Sequence, residues 1–178
     1  DLYDTAFALF AFAHAARQGH EAASAHARQL LANVDAKLED VKHGGFAESL
    51  PKGHFRLQNP HMHLLEASLA LYESEGKTDH LNRANALVQL LDEKMFDHET
   101  GTIGETFGPD WLRETAPDRL YVEPGHQFEW VWLLKTHADA AGGELNPAIN
   151  RLYDVGLRTL DADGRVFAKA TREGEIVD

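Results

Sequence analysis

The strongest constraint on this chain is its similarity to itself. Adding 57 to the residue number carries Gly19 to Gly76, Leu30 to Leu87, Val34 to Leu91, Asp35 to Asp92, Lys37 to Lys94, Gly44 to Gly101, Phe46 to Ile103 and Glu48 to Glu105. Adding a further 63 carries Gly101 to Gly164 and Ile103 to Val166, and it carries the pair His63 and Glu66 onto His126 and Glu129. Such agreement at fixed offsets reads as three units, each a helix pair followed by a Gly-centred extended loop. Apolar periodicity and the Gly and Pro breaks predict helices over 2–18, from after Gly19 to about 37, 60–75, 80–95, 125–141 and 146–160. In the first of these Phe7, Leu9, Phe10 and Phe12 leave hardly any polar face, which predicts burial on most sides. The stretch from His43 to Glu48 reads as a loop or short β-hairpin.

A two-helix repeat of about 60 residues fits a closed toroid better than an open solenoid, whose repeats run nearer ~34–47 residues with short turns. Long loops that all return to the same end of the helices place a pocket in the middle of such a ring. The expected fold is therefore all-α, an (α/α)6 toroid or barrel with short β-hairpin loops, of which about three helix hairpins are present. The whole span 1–178 reads as part of a single catalytic domain with no internal boundary.

Charge narrows the partners. There are 17 basic against 29 acidic residues, a formal net charge of −12, and no basic patch, which disfavours nucleic acid and anionic membrane and favours a small-molecule ligand. No apolar run reaches the roughly 18 residues that span a bilayer, and no signal peptide is evident, so the cytoplasm is the expected location. There is no cysteine for thiolate chemistry or disulfides. The first residue is Asp1 and not Met, and a helix-like pattern begins at once, which suggests an excerpt of a longer chain. An open arc of three units is expected to be catalytically silent by itself and to self-associate through the faces of Phe7, Phe10 and Leu157. Homo-oligomerisation is left open.

Candidate chemistry concentrates in two stretches. In Glu123-Pro124-Gly125-His126-Gln127-Phe128-Glu129-Trp130, Pro opens a helix and sets His126 in its first turn, with Glu129 three residues on along the same face. The partial positive charge of a helix N-terminus there is worth roughly 0.3–1 kcal/mol and should keep the imidazole neutral and able to accept a proton. Asn59-Pro60-His61-Met62-His63-Leu64-Leu65-Glu66 repeats the device. His61-x-His63 and the two His-x-x-Glu pairs can also be read as metal ligands, but a helical di-iron site needs further inward glutamates, and none stands out. Taken by itself a first-turn histidine is more often a cap or surface residue than a catalyst. Trp130 and Trp132 read as core before they read as a sugar platform.

These two stretches, with Arg56-Leu57-Gln58 before the first and Asp1-Leu2-Tyr3-Asp4-Thr5-Ala6-Phe7 at the start, resemble the N-acylglucosamine 2-epimerase superfamily, and within it the mannose isomerase and phosphomannose isomerase-like branch. The resemblance runs essentially end to end. It implies a six-hairpin α/α barrel that works without metal or cofactor. It also implies isomerisation or epimerisation of mannose-type sugars by histidine-mediated proton transfer through an enediol-like intermediate. Carried over, His126 becomes one of two acid/base histidines, Glu129 its companion and His63 a sugar-contacting member of the catalytic set. Asn59, Arg119 and Tyr3 become substrate-binding residues. The second acid/base histidine has no counterpart in these residues. N-acylglucosamine 2-epimerisation and cellobiose-type 2-epimerisation are the alternatives within the family, and a glycoside hydrolase on the same kind of barrel lies further off.

Overall fold

The computed structural model describes residues 1–177 and arranges them as three helical hairpins: α1 (Leu2–Arg17) with α2 (Glu21–Leu38), α3 (Gln58–Glu75) with α4 (Thr78–Leu90), and α5 (Pro124–Ala141) with α6 (Ala148–Arg158). Helix α1 packs on both α2 and α3, and α3 packs on both α4 and α5. The odd helices thus form an inner row and the even helices an outer one, which is the arc of an α/α toroid that the repeat predicts. Helix α4 continues into one π-helical turn, Leu91–Met95.

Local chemistry sets the ends of the inner helices. Asp1 caps α1 by accepting the Asp4 N–H at 2.9 Å, a contact typically worth about 1 kcal/mol. Helices α3 and α5 stop at Gly76 and Gly142, which take left-handed conformations (φ 65° and 64°) that let their N–H groups satisfy the carbonyls of Tyr72 and Ala138. Close helix approach also depends on glycine. A Cβ at Gly156 of α6 would lie 2.5 Å from the Phe128 ring of α5.

One correction to the sequence reading concerns α1. Its core stripe is Leu2, Ala6, Leu9 and Ala13, whereas Tyr3 and Phe7 are 40% and 41% exposed on the concave side of the arc. The apolar character of this helix therefore serves two faces, the core and the inner wall.

Four two-residue strands, β1 (Arg56–Leu57), β2 (Phe96–Asp97), β3 (Thr102–Ile103) and β4 (Thr106–Phe107), and a few isolated bridges tie the loops together. Each outer helix leads into the same turn. The bridge Glu39↔Phe46 recurs as β2 paired with β3 and again as Leu160↔Val166. Asp40, Asp97 and Asp161 open these turns, their carboxylates accepting backbone N–H groups two to four residues on. Neighbouring loops are then laced to one another: Arg56 pairs with Phe107, and one unit later Val122 pairs with Ala170.

The repeat register differs between loops and helices. From the second unit to the third the turns keep an offset of 63 to 64 (Ile103 to Val166, Asp97 to Asp161), but α3 and α5 begin after Leu57 and Glu123 and end at Gly76 and Gly142, an offset of 66. Glu129 therefore stands where His63 does, and His126 stands where Pro60 does. The matching His-x-x-Glu pairs at 63 are a coincidence of composition and not equivalent positions. Three residues is about 60° short of a full helical turn, so the two registers present nearly the same face.

Candidate active site

The N-terminal ends of α1, α3 and α5 meet at one end of the concave wall. On the α3 side, His63 Nδ1 lies 3.0 Å from Glu66 Oε2, and its ring packs against Phe7 at 4.5 Å and edge-on to Tyr3 at 5.4 Å between centroids. Asn59 is in the first turn of α3, and its Oδ1 is enclosed with no hydrogen-bond partner among the described residues. The structure thus brings His63, Tyr3 and Glu66 together as one group.

On the α5 side, the partners of His126 are not the one expected. Its Nδ1 lies 2.9 Å from Glu105 Oε2 and 2.8 Å from Gln58 Nε2, and its Nε2 lies 3.5 Å from Glu123 Oε2. Glu129 is exposed on the same helix and forms no hydrogen bond with the ring among the described residues. It reaches His126 only through its charge. Spacing along one helix suggested Glu129 as the orienting group, but the loop before α5 folds Glu105 onto the ring first. The one available signal was the Glu48 to Glu105 repeat, which marks the position without saying what it touches.

Electrostatics also reverse an expectation. Burial disfavours the charged His126 ring, but the hydrogen bond and charge of Glu105, with the charges of Glu123 and Glu129, outweigh it and raise its pKa above the ordinary value. A charge-assisted hydrogen bond, typically worth about 1.5–3 kcal/mol, exceeds the helix-terminus effect of roughly 0.3–1 kcal/mol. Burial raises the Glu123 pKa, and the charge of Glu105 raises it further, against the pull of His126. One atom from each of Glu105, Glu123 and His126 lie within 4.8 Å of one another, a spacing a cation could use. Glu105 Oε2, however, already accepts the Gln58 amide N–H at 2.8 Å and lies against His126 Nδ1.

Other candidates resolve clearly. His61, the second member of the His-x-His reading, is spoken for at both nitrogens: Nδ1 lies 2.9 Å from the Leu57 carbonyl and Nε2 accepts the Phe46 N–H at 2.9 Å. Burial pulls its pKa down to about 4, so it is a neutral structural residue without a lone pair for a metal. Arg119 ends a 3₁₀ turn (Pro117–Arg119), stacks its guanidinium over Phe55 at 3.9 Å and pairs with Glu114 at 3.4 Å, away from both histidines' contacts. Trp130 is fully buried, as expected for core. Trp132 is not: it is 53% exposed and, with Phe10, Leu69 and Thr136, lines a trough of about 430 Å³ along the concave wall.

Comparison with known proteins supplies the lineage. The chain is 37% identical over 163 residues to a mannose-6-phosphate isomerase of Rhizobium meliloti, covering 88% of this chain and 42% of that protein. It is 24% identical to a D-mannose isomerase of Marinomonas mediterranea over 147 residues, 74% of this chain and 37% of the relative. The chain thus spans less than half the length of these relatives. Among solved structures, a D-mannose isomerase superimposes with a TM-score of 0.87 at 20% identity, over 99% of this chain and 50% of that one. A cellobiose 2-epimerase from Bacillus thermoamylovorans B4167 follows at 0.84 and 19%, over 97% and 48%. At such identities these structures speak for the α/α-barrel fold alone. The profile of the N-acylglucosamine 2-epimerase (GlcNAc 2-epimerase) family matches residues 1–174, and the chain belongs to that family.

Proposed function

We propose that this protein is a sugar isomerase that interconverts an aldose and a ketose of the mannose type, with His126 as a proton carrier. The observation that carries the reading is the clamped His126 ring at the mouth of an inner helix, its Nδ1 engaged by Glu105 and its Nε2 3.5 Å from Glu123 Oε2. In the reaction, His126 Nε2 takes the C2 proton, the C2–H electron pair forms a C1–C2 double bond, a neighbouring donor gives the carbonyl oxygen a proton, and an enediol results. Return of a proton to C1, with loss of the O2 proton, gives the ketose; return to the opposite face of C2, with loss of the O1 proton, gives the epimer. An imidazole whose pKa is raised by the hydrogen bond and charge of Glu105 can both give and take such protons.

The supporting groups fit a sugar. Asn59 Oδ1 is an enclosed acceptor without a partner among the described residues at the start of α3, and His63 of α3 with Tyr3 of α1 offers a ring edge and donors. Glu129, exposed beside His126, can bind hydroxyls or relay protons, whereas Arg119 would have to leave Glu114 and Phe55 to reach a sugar. Glycoside hydrolysis is less favoured, because it needs two carboxylates flanking the scissile bond at about 5–9.5 Å, and Glu66 is engaged with His63. No described helix is long and apolar enough to cross a membrane, and a cytoplasmic site of action belongs to this reading. Product analysis of the full-length protein with mannose and with fructose tests it. Interconversion of the two supports the proposal; a C2 epimer as sole product, or cleavage of a β-linked disaccharide instead, overturns it.

A further inference from the structure

Glu48 and Glu105 occupy the same place in successive units, and comparing them separates two jobs of one carboxylate. Each gives its main-chain carbonyl to the start of an inner helix, Glu48 to the Leu2 N–H at 2.8 Å and Glu105 to the Gln58 N–H at 3.2 Å. Each also gives Oε1 to the N–H that precedes the next inner helix, Leu57 at 2.7 Å and Glu123 at 2.8 Å. That much is scaffold and is common to both. The second oxygen differs. Glu48 Oε2 is enclosed without a partner among the described residues, whereas Glu105 Oε2 receives Gln58 Nε2 at 2.8 Å and faces His126 Nδ1 at 2.9 Å. Where α5 carries His126, α3 carries Pro60, so the second function comes with the histidine.

We propose that Glu105 is the positioning residue of this site, fixing the His126 ring through Oε2 with Nδ1 as the donor and Nε2 as the nitrogen presented to substrate. This rests on the reading of His126 as the proton carrier. The hydrogen-bond chain behind it allows one arrangement. Trp130 Nε1, which can only donate, lies 2.6 Å from Gln58 Oε1; this turns the Gln58 amide nitrogen toward Glu105. Gln58 Nε2, Glu105 Oε2 and His126 Nδ1 then form a near-equilateral triangle with sides of 2.8, 2.9 and 2.8 Å. The two amide N–H bonds diverge by about 120°, so the amide cannot serve both corners. The carboxylate oxygen accepts one proton from the amide and one from the ring. The charged groups around the ring are Glu105 from the loop, Glu123 before α5 and Glu129 along α5, with Lys169 acting on Glu123; α3 contributes the neutral Gln58. The raised pKa of His126 agrees with this setting.

The test combines an activity-independent readout with a variant, both in the full-length protein. Nitrogen-15 NMR of wild-type His126 should show Nδ1 protonated through the neutral range and Nε2 titrating; an unprotonated Nδ1 overturns the proposal. Glu105→Gln keeps an oxygen for the Glu123 N–H and removes the charge. It should lower the His126 pKa, move the limb of the kcat–pH profile carried by His126 to lower pH, and cut kcat by roughly 10–100-fold, the range found for carboxylates behind metal-bound histidines. Unchanged His126 titration and pH profile overturn the proposal. Glu48→Gln perturbs the equivalent scaffold contact and should leave the profile in place; an equal shift from both variants assigns the effect to the scaffold and also overturns it. If Glu105→Gln does not fold, the wild-type NMR result decides alone. If wild-type protein turns over no sugar, the isomerase reading fails while the NMR still decides the role of Glu105.

Discussion

His61 of α3 and Gln127 of α5 hold the same stretch of backbone in successive units. His61 Nε2 accepts the Phe46 N–H at 2.9 Å, and Gln127 Oε1 accepts the Ile103 N–H at 3.0 Å while its Nε2 returns a bond to the Ile103 carbonyl at 3.1 Å. Both side chains are fully buried. They fasten the loop of each unit to the inner helix of the next.

Removing either anchor strands a buried N–H, a cost of about 1–3 kcal/mol before lost packing is counted. His61→Ala and Gln127→Ala should therefore each lower unfolding stability by at least about 1 kcal/mol in a urea titration. A change below about 0.5 kcal/mol in both would contradict the anchoring role.

Glu48 should make stability depend on pH in an unusual direction. Burial raises its pKa from 4.5 to about 7, against the pull of the Leu57 N–H and Arg56. The folded state thus binds the proton more tightly than the unfolded chain. Its contribution is fully present below about pH 4.5 and is lost as pH rises through about 7. The variant Glu48→Gln should gain stability relative to wild type as pH climbs from about 5 to 8, by an amount of order 1–3 kcal/mol. His61, held at about 4 by burial, acts oppositely, costing stability as pH falls below its unfolded value of about 6.5. Parallel pH–stability curves for wild type and Glu48→Gln would refute the assignment.

Replacing His126 should abolish turnover with the fold intact. General acid–base groups typically contribute about 10²–10⁴-fold, and the half-buried ring lies at the helix mouth outside the apolar core. His126→Ala should lower kcat by at least about 10²-fold with an unchanged circular dichroism spectrum; a loss under about fivefold sinks the role. Asn59→Ala and His63→Ala should act mainly on KM.

Chelation should leave activity unchanged. Glu105, Glu123 and His126 are close enough to hold a cation, yet the Nδ1 proton and the Gln58 amide already occupy Glu105 Oε2. Neighbouring donors can stabilise the enediolate oxygen without a Lewis acid. Inhibition by EDTA that one metal reverses would return these three residues to the metal reading.

Mannose should be preferred to mannose 6-phosphate. Arg56 is buried against Asp40 at 2.8 Å, Arg113 pairs with Asp97, and Arg119 pairs with Glu114, so the three arginines nearest the motifs in sequence are each committed to a carboxylate. A kcat/KM for the phosphate more than about tenfold above that for mannose would show that one of these pairs opens for substrate.

By itself the sequence determined the helix hairpins, the Gly stops at 76 and 142, the Pro-led start of α5 and the first-turn place of His126, because each depends on neighbours within a few residues along the chain. It also carried the repeat, and with the repeat the α/α arc. The tertiary structure decided which carboxylate holds His126. Glu129 is three residues away but exposed and without a hydrogen bond to the ring among the described residues, whereas Glu105, 21 residues away, is delivered by a loop laced to its neighbour through Arg56↔Phe107. The tertiary structure also set the helix register at 66 against the 63 to 64 of the turns, turned Tyr3, Phe7 and Trp132 toward the concave wall, and raised the pKa of an imidazole that local helix geometry alone would have kept neutral. Periodicity shows which residues share a face. What that face meets depends on how distant loops fold over it.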